Sequence, residues 1–149
     1  MNVIWQDFHH SELSATQLYQ LLALRNAVFV VEQNCAYQDI DGADLAGENR
    51  HLLGWFDDRL LAYARVLAPE TSSNPVKIGR VIVSSEARGL SLGNRLMDQA
   101  LDLCKQHWPQ HKIKLSAQAH LQDFYGRFGF KTVSDIYLED NIPHVDMEK

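Results

Sequence analysis

The period of apolar and polar positions changes several times along the chain, and each change marks an element. Ile4 to His9 reads as a first strand. Ser14-Ala-Thr-Gln17 has capping-box spacing, in which the serine oxygen and the glutamine side chain satisfy free amides at a helix start. Leu18, Leu21, Leu22, Val28 and Phe29 then keep a helical stripe, which predicts one long helix. Cys35 to Asn49 is rich in Asp and Gly and reads as a loop. His51–Phe56 and Arg59–Leu67 read as strands joined at Asp57-Asp58. After a turn over 70–75, Val76–Ser84 is a further strand. A helix is predicted over 91–108, with Leu92, Leu96, Ala100, Leu103 and Cys104 inward and Pro109 as its limit. Lys112–Ala117 is a strand and Leu121–Phe128 a short helix with Gly129 as its C-cap. Phe130–Glu139 and Pro143–Met147 make a final antiparallel pair. The expected fold class is α/β (α+β), as a single domain over 1–149.

The junction after Val83 is the most informative stretch. A β-branched run stops, and Arg88-Gly89-Leu90-Ser91-Leu92-Gly93-Asn94 leads into the amphipathic helix. A helix start offers unpaired N–H groups and about half a positive charge, so it can receive a phosphate or pyrophosphate. A tight turn without a ligand fits the same residues. There is no Gly-Lys-Ser/Thr ending of a Walker loop and no Gly-x-Gly-x-x-Gly.

Arg88 to Gly93 resembles motif A of the GNAT N-acetyltransferases, Gln/Arg-x-x-Gly-x-Gly/Ala, with Ser91 in place of the middle glycine. Phe124-Tyr-Gly-Arg-Phe-Gly-Phe130 is similar to that family's Leu-Tyr-x-x-x-Gly-Phe ending. Val28-Phe-Val-Val-Glu-Gln, Asp39-Ile-Asp-Gly, Asn49-Arg-His, Ala117-Gln-Ala-His and Ile142-Pro-His resemble the ElaA-like subfamily, so the likeness spans nearly the whole chain.

The resemblance implies a mixed central sheet whose parallel strands, near 78–84 and 112–117, splay apart to admit acetyl-CoA. It implies pyrophosphate binding by the backbone of Gly89–Asn94 beside Arg88, through Gly89, Leu90, Ser91, Leu92, Gly93 and Asn94. It implies pantetheine beside Val81, Ile82 and Val83, with Gln118 and Tyr125 also at the cofactor. Val81–Val83 read equally as core strand. By motif position Tyr125 is the proton donor to the departing thiolate, and the Val83 or Ile82 amide is the candidate oxyanion donor. Glu32, at the end of the first helix, and His120, after the second splayed strand, are the candidate bases; His51 and His144 are weaker. The implied acceptor is a primary amine on a small molecule or peptide. A catalytically silent acyl-CoA-binding or regulatory module fits the same cradle.

Composition narrows these readings. The net charge of −5 and the lack of a basic cluster argue against a nucleic-acid partner. No apolar run reaches the roughly 20 residues of a membrane span. Met1-Asn-Val-Ile-Trp has no basic segment before an apolar one, so a cytoplasmic protein is expected. The seven histidines and two cysteines show no zinc spacing, and no metal is expected. Cys104 falls on an apolar helical stripe and reads as a buried thiol. Glu32, Asp39, Asp41, Asp44 and Glu48 concentrate where the family's acceptor site is walled. They read either as a solvated acidic loop or as attraction for a cationic amine.

Overall fold

The computed structural model describes residues 2–149. Its centre is an eight-stranded sheet formed by β1 (Ile4–His9), β2 (Arg50–Phe56), β3 (Arg59–Leu67), β4 (Val76–Val83), β5 (Ile113–Gln118), β6 (Lys131–Thr132), β7 (Tyr137–Glu139) and β8 (Ile142–Glu148). The order is β1-β2-β3-β4-β5-β8-β6, with β7 also on β8. Every pairing is antiparallel except β4 with β5, which are joined through helix α2 (Leu92–His107).

Alternation along the strands splits the core between two faces. Leu52 packs with Leu61, Ala64, Leu96, Met97 and Ala100 beneath α2, while its neighbour Leu53 packs with Leu21, Val28, Tyr63 and Ile82 beneath the first helical segment. Short helix α3 (Gln122–Gly126) brings Tyr125 to the α2 face, where Phe130 is also buried.

The first helical segment departs from the expected single α-helix. The Ser14 capping box forms as the sequence predicts, and α1 runs from Ala15 to Arg25. From Asn26 to Glu32 the winding changes to a π-helix. Gln33 N–H then donates to Val28 O at 3.2 Å and Cys35 N–H to Val30 O at 3.1 Å, both i→i+5 bonds. Wider winding turns the last residues of the segment relative to a continuous α-helix.

The predicted strand over 130–139 is also divided. Its two pieces pair with β8, but the register slips by two residues between them. Val133 N–H donates to Asp146 O, and Asp146 N–H donates to Ser134 Oγ, so the detour is held by its own bonds. Asp140 and Asn141, at φ 49° and 64°, close the β7–β8 hairpin. Two successive positive φ values suit a two-residue turn whose twist matches its strands.

Candidate active site

The parallel pair supplies the opening. β4 and β5 are paired only at Val76↔Ile113 and Lys77↔Lys114. Beyond Lys77 β4 continues to Val83 and β5 to Gln118 without bonding to each other, which leaves one edge of β4 unpaired. The divergence begins beside an irregularity in β4. Tyr63 faces Ile82 and Arg65 faces Gly79, so β4 carries one more residue than β3 across that stretch. Arg80 there has φ 50°, and such a bulge bends its strand.

Between the parted strands lies a cleft of about 710 Å³. Its walls include Val81, Ile82 and Val83 from β4, Gln118 and His120 from the end of β5 and the turn after it, Tyr125 from α3, and Glu32 from the π-helix. Arg88 and Gly93 line it as well, and both also line an adjoining cavity of about 310 Å³ with Gly89, Ser91, Leu92 and Asn94. Of the residues singled out in the sequence, Leu90, which is exposed, and His51, which is buried elsewhere, line neither space; the rest of the cofactor and base candidates line one or both.

The anion loop has two local requirements. Gly89 sits at φ +83°, where an L side chain is strained, and a Cβ there would meet nothing within 4 Å. A Cβ at Gly93 would make ordinary contacts of 3.6 Å to Phe124 and 3.9 Å to Val83. Nothing in the protein forbids a side chain at 93; what a larger one would fill is the loop cavity. Ser91 is the N-cap of α2 but does not cap through its side chain: its backbone is left-handed at φ 57°, which orients the hydroxyl away from the first amides.

The loop arginine is already engaged. Arg88 Nη2 lies 2.7 Å from Glu32 Oε2, and its Nε donates to Val83 O at 3.3 Å. Glu32 therefore reaches the cleft with its carboxylate paired. His120 is exposed at the rim. Tyr125 is 7 % exposed, and burial pushes its hydroxyl up to about 12, so it keeps its proton at neutral pH.

The loop over 33–49 is not a solvated acidic surface, nor does it hold free carboxylates for a cation. Arg25, wholly buried on the inner face of α1, donates to Asp39 Oδ2 at 2.9 Å, to Asp44 Oδ1 at 2.5 Å and to the Asp39 carbonyl at 2.8 Å. Arg65 of β3 holds both Asp41 oxygens and Asp44 Oδ1, and Arg80 holds Asp39 and Asp41. Three arginines thus match three aspartates. His51 is inside this assembly, between Tyr63 Oη at 2.6 Å and the Asp44 carbonyl at 2.8 Å, and burial lowers its affinity for a proton. Glu48 lies 3.3 Å from His9. The network anchors Tyr37, whose hydroxyl donates to Asp39 at 2.6 Å and which lines the cleft.

Residues that sequence reasoning left aside also face the opening. Cys35 lines it, with Sγ 3.6 Å from the Asp140 carbonyl, and Gln33 accepts from Gln118 Nε2 at 3.5 Å. Glu139 of β7 is there too, beside His144 of β8, which the sequence offers as a weaker candidate base. Cys104 is buried and its thiol pushed up to about 12, as its helical stripe predicts.

Comparison with known proteins matches this architecture. The family model described as an acetyltransferase (GNAT) domain covers residues 10–149. The chain belongs to the GNAT acetyltransferase family. Within that family it is 59 % identical over 145 residues to protein ElaA of Escherichia coli strain K12, covering 97 % of this chain and 95 % of that one. The crystal structure of Escherichia coli ElaA superposes with a TM-score of 0.95 over 99 % of both chains, at 57 % identity. The crystal structure of an acyl-CoA N-acyltransferase from Pseudomonas aeruginosa superposes at 0.96 with 50 % identity, again over 99 % of both chains. Membership of the GNAT family gives the chain its general chemistry, acyl transfer from a CoA-type donor. Among the described residues no group of three His, Cys, Asp or Glu side chains is disposed to hold a metal ion, and no helix is long and apolar enough to cross a membrane.

Proposed function

We propose that this GNAT protein transfers an acetyl group from acetyl-CoA to a primary amine, directly, with donor and acceptor bound together. The observation that carries the reading is that the loop cavity adjoins the cleft between β4 and β5, sharing Val83, Arg88, Gly93 and Phe124 with it, and that Tyr125 lies on the wall of that cleft. The family's acetyltransferase description supports acetyl over a longer acyl group.

The residues present fit a CoA-type donor. The loop from Gly89 to Asn94 offers backbone N–H groups at the start of α2, which suit a pyrophosphate. The free edge of β4 suits an extended pantetheine, because an unpaired edge carries donors and acceptors ready for an added strand. Ser84 N–H donates to the Leu61 carbonyl at 2.8 Å. Successive amides of a strand point to opposite edges, so the Val83 N–H faces the cleft. Of the two amides considered from the sequence, Val83 is the better placed to donate to the thioester oxygen as negative charge develops there. The protonated Tyr125 hydroxyl then serves the departing sulfur.

Acetyl-CoA should raise the melting temperature, and dephospho-CoA should still do so, since the pyrophosphate contact dominates. Gly89→Val and Gly93→Val should abolish the shift, the first by straining a left-handed turn and the second by filling the loop cavity. Valine variants that fold and bind as the parent does would remove the cradle from this account. Transfer itself is tested by CoA release from acetyl-CoA in the presence of a panel of primary amines, with mass detection of a product 42 Da heavier, the mass an acetyl group adds in place of hydrogen (~42 Da, from composition). Binding without release across the panel would favour a silent acyl-CoA-binding module instead.

A further inference from the structure

We infer that His144, held and charge-matched by Glu139, is the group that takes the proton from the attacking amine; this rests on the acyl-transfer reading above. The ring is 8 % exposed and lines the cleft that also holds Tyr125. Its Nδ1 lies 2.7 Å from the Ile142 carbonyl oxygen. A carbonyl can only accept, so Nδ1 carries the hydrogen and the neutral ring keeps its lone pair on Nε2. Glu139 Oε2 is 3.3 Å from that Nε2. Once Nε2 has taken a proton, its N–H can donate to the Glu139 carboxylate, which accepts only. Tyr137 stacks on the ring at 6.1 Å and fixes its plane.

Arg80, Arg88 and Glu32 on the cleft are committed elsewhere. Arg80 is bound to Asp39 and Asp41, and Glu32 to Arg88. The Tyr137 hydroxyl donates to Asp146 and is held above its ordinary range, first by burial. Glu139 is the charged side chain in contact with the imidazole. Asp140, at the hairpin tip beside it, lines the same opening and offers its carbonyl to Cys35.

The step balances as follows. The nitrogen lone pair forms the C–N bond, and the C–S pair leaves on sulfur. One nitrogen proton passes to His144 Nε2, and the sulfur takes the Tyr125 proton. Solvent then restores Tyr125 and removes the proton from His144.

The test uses the full chain, acetyl-CoA and the best amine of the panel. His144→Gln should bind acetyl-CoA as the parent does, by calorimetry, and lose on the order of 10²-fold in kcat. The defect should shrink as pH rises and solvent removes the proton. Added imidazole should restore part of the activity of His144→Ala, which a merely structural role would not allow. Glu139→Gln, a positioning variant, should lower kcat less than His144→Gln does and leave acetyl-CoA affinity unchanged, because the amide oxygen still accepts from the protonated ring without balancing its charge. Parent-like kcat in His144→Gln across the pH range would overturn the assignment while leaving acyl transfer intact. An equal loss confined to Glu32→Gln or His120→Ala would transfer the role to that residue. A parent chain that acetylates no amine would sink the transfer reading and this inference together.

Discussion

Tyr125→Phe should lower kcat by on the order of 10²-fold and leave acetyl-CoA affinity nearly unchanged. The substitution isolates one atom. The ring sits edge-on to Phe124 at 5.0 Å and to Phe130 at 6.2 Å, and phenylalanine keeps both contacts. Burial accounts for the raised position of the hydroxyl, with no hydrogen bond among the described residues contributing to it. Removing it therefore leaves no orphaned group behind, and the melting temperature should stay close to that of the parent. The loss should fall on the step in which sulfur departs. With the hydroxyl held up at about 12, Tyr125 stays protonated through the accessible range, so the parent's pH profile should show no descending limb from this residue. Steady-state kinetics with one good amine decide the matter. An unchanged kcat would make Tyr125 a packing residue.

The parts of this molecule that were legible in the sequence are those governed by local rules. The Ser14 capping box, the strand pairs around Asp57-Asp58, the amphipathic face of α2 and the glycines of the anion loop each follow from spacing within a few residues. The switch to π-winding after Arg25 has no such signature, since Val28 and Phe29 suit an α-helical stripe as well. The aspartate loop was misread because its partners come from three separate elements, Arg25 on α1, Arg65 on β3 and Arg80 on β4. One signal was present. Arg25 continues the apolar positions Leu18, Leu21 and Leu22 at helical spacing, and an arginine on a buried stripe needs carboxylates. The surroundings of His144 are hidden from the sequence for a similar reason: they depend on Glu139 across a hairpin and on a carbonyl two residues back, neither of which composition reveals.

Arg25→Met should cost about 3–5 kcal/mol of stability, the range for removing one partner from a buried ionic assembly. For a domain of this size that is a fall in melting temperature on the order of 10 °C. The methionine fills much of the same space, so the cost is electrostatic. Asp39 loses the donor to Oδ2 and one of the two donors to its carbonyl, Arg80 Nη2 keeping the other at 3.1 Å, and Asp44 loses its shortest bond. Asp44 Oδ2 already lacks a hydrogen-bond partner, so that aspartate has little in reserve. Arg25→Lys should be damaging too, since an ammonium cannot reproduce three forked contacts. The pH dependence separates charge from packing. Asp41 is held below the ordinary carboxylate range chiefly by its bonds to Arg65. The lowered position of Asp44 arises against a burial term that raises it, with Arg25 the leading opponent. A group depressed by folding stabilises the native state above its unfolded value, about 3.9 for aspartate, and loses that contribution as pH falls below it. The gap between parent and Arg25→Met in urea unfolding should therefore be full at pH 7 and narrow below about pH 4. A gap that stays constant down to pH 3 would assign the loss to packing. The consequence for function follows from where the network ends. Arg80 forms the bulge that parts β4 from β5, and Tyr37 lines the cleft, so loosening the assembly should weaken acetyl-CoA binding even at temperatures where the variant remains folded.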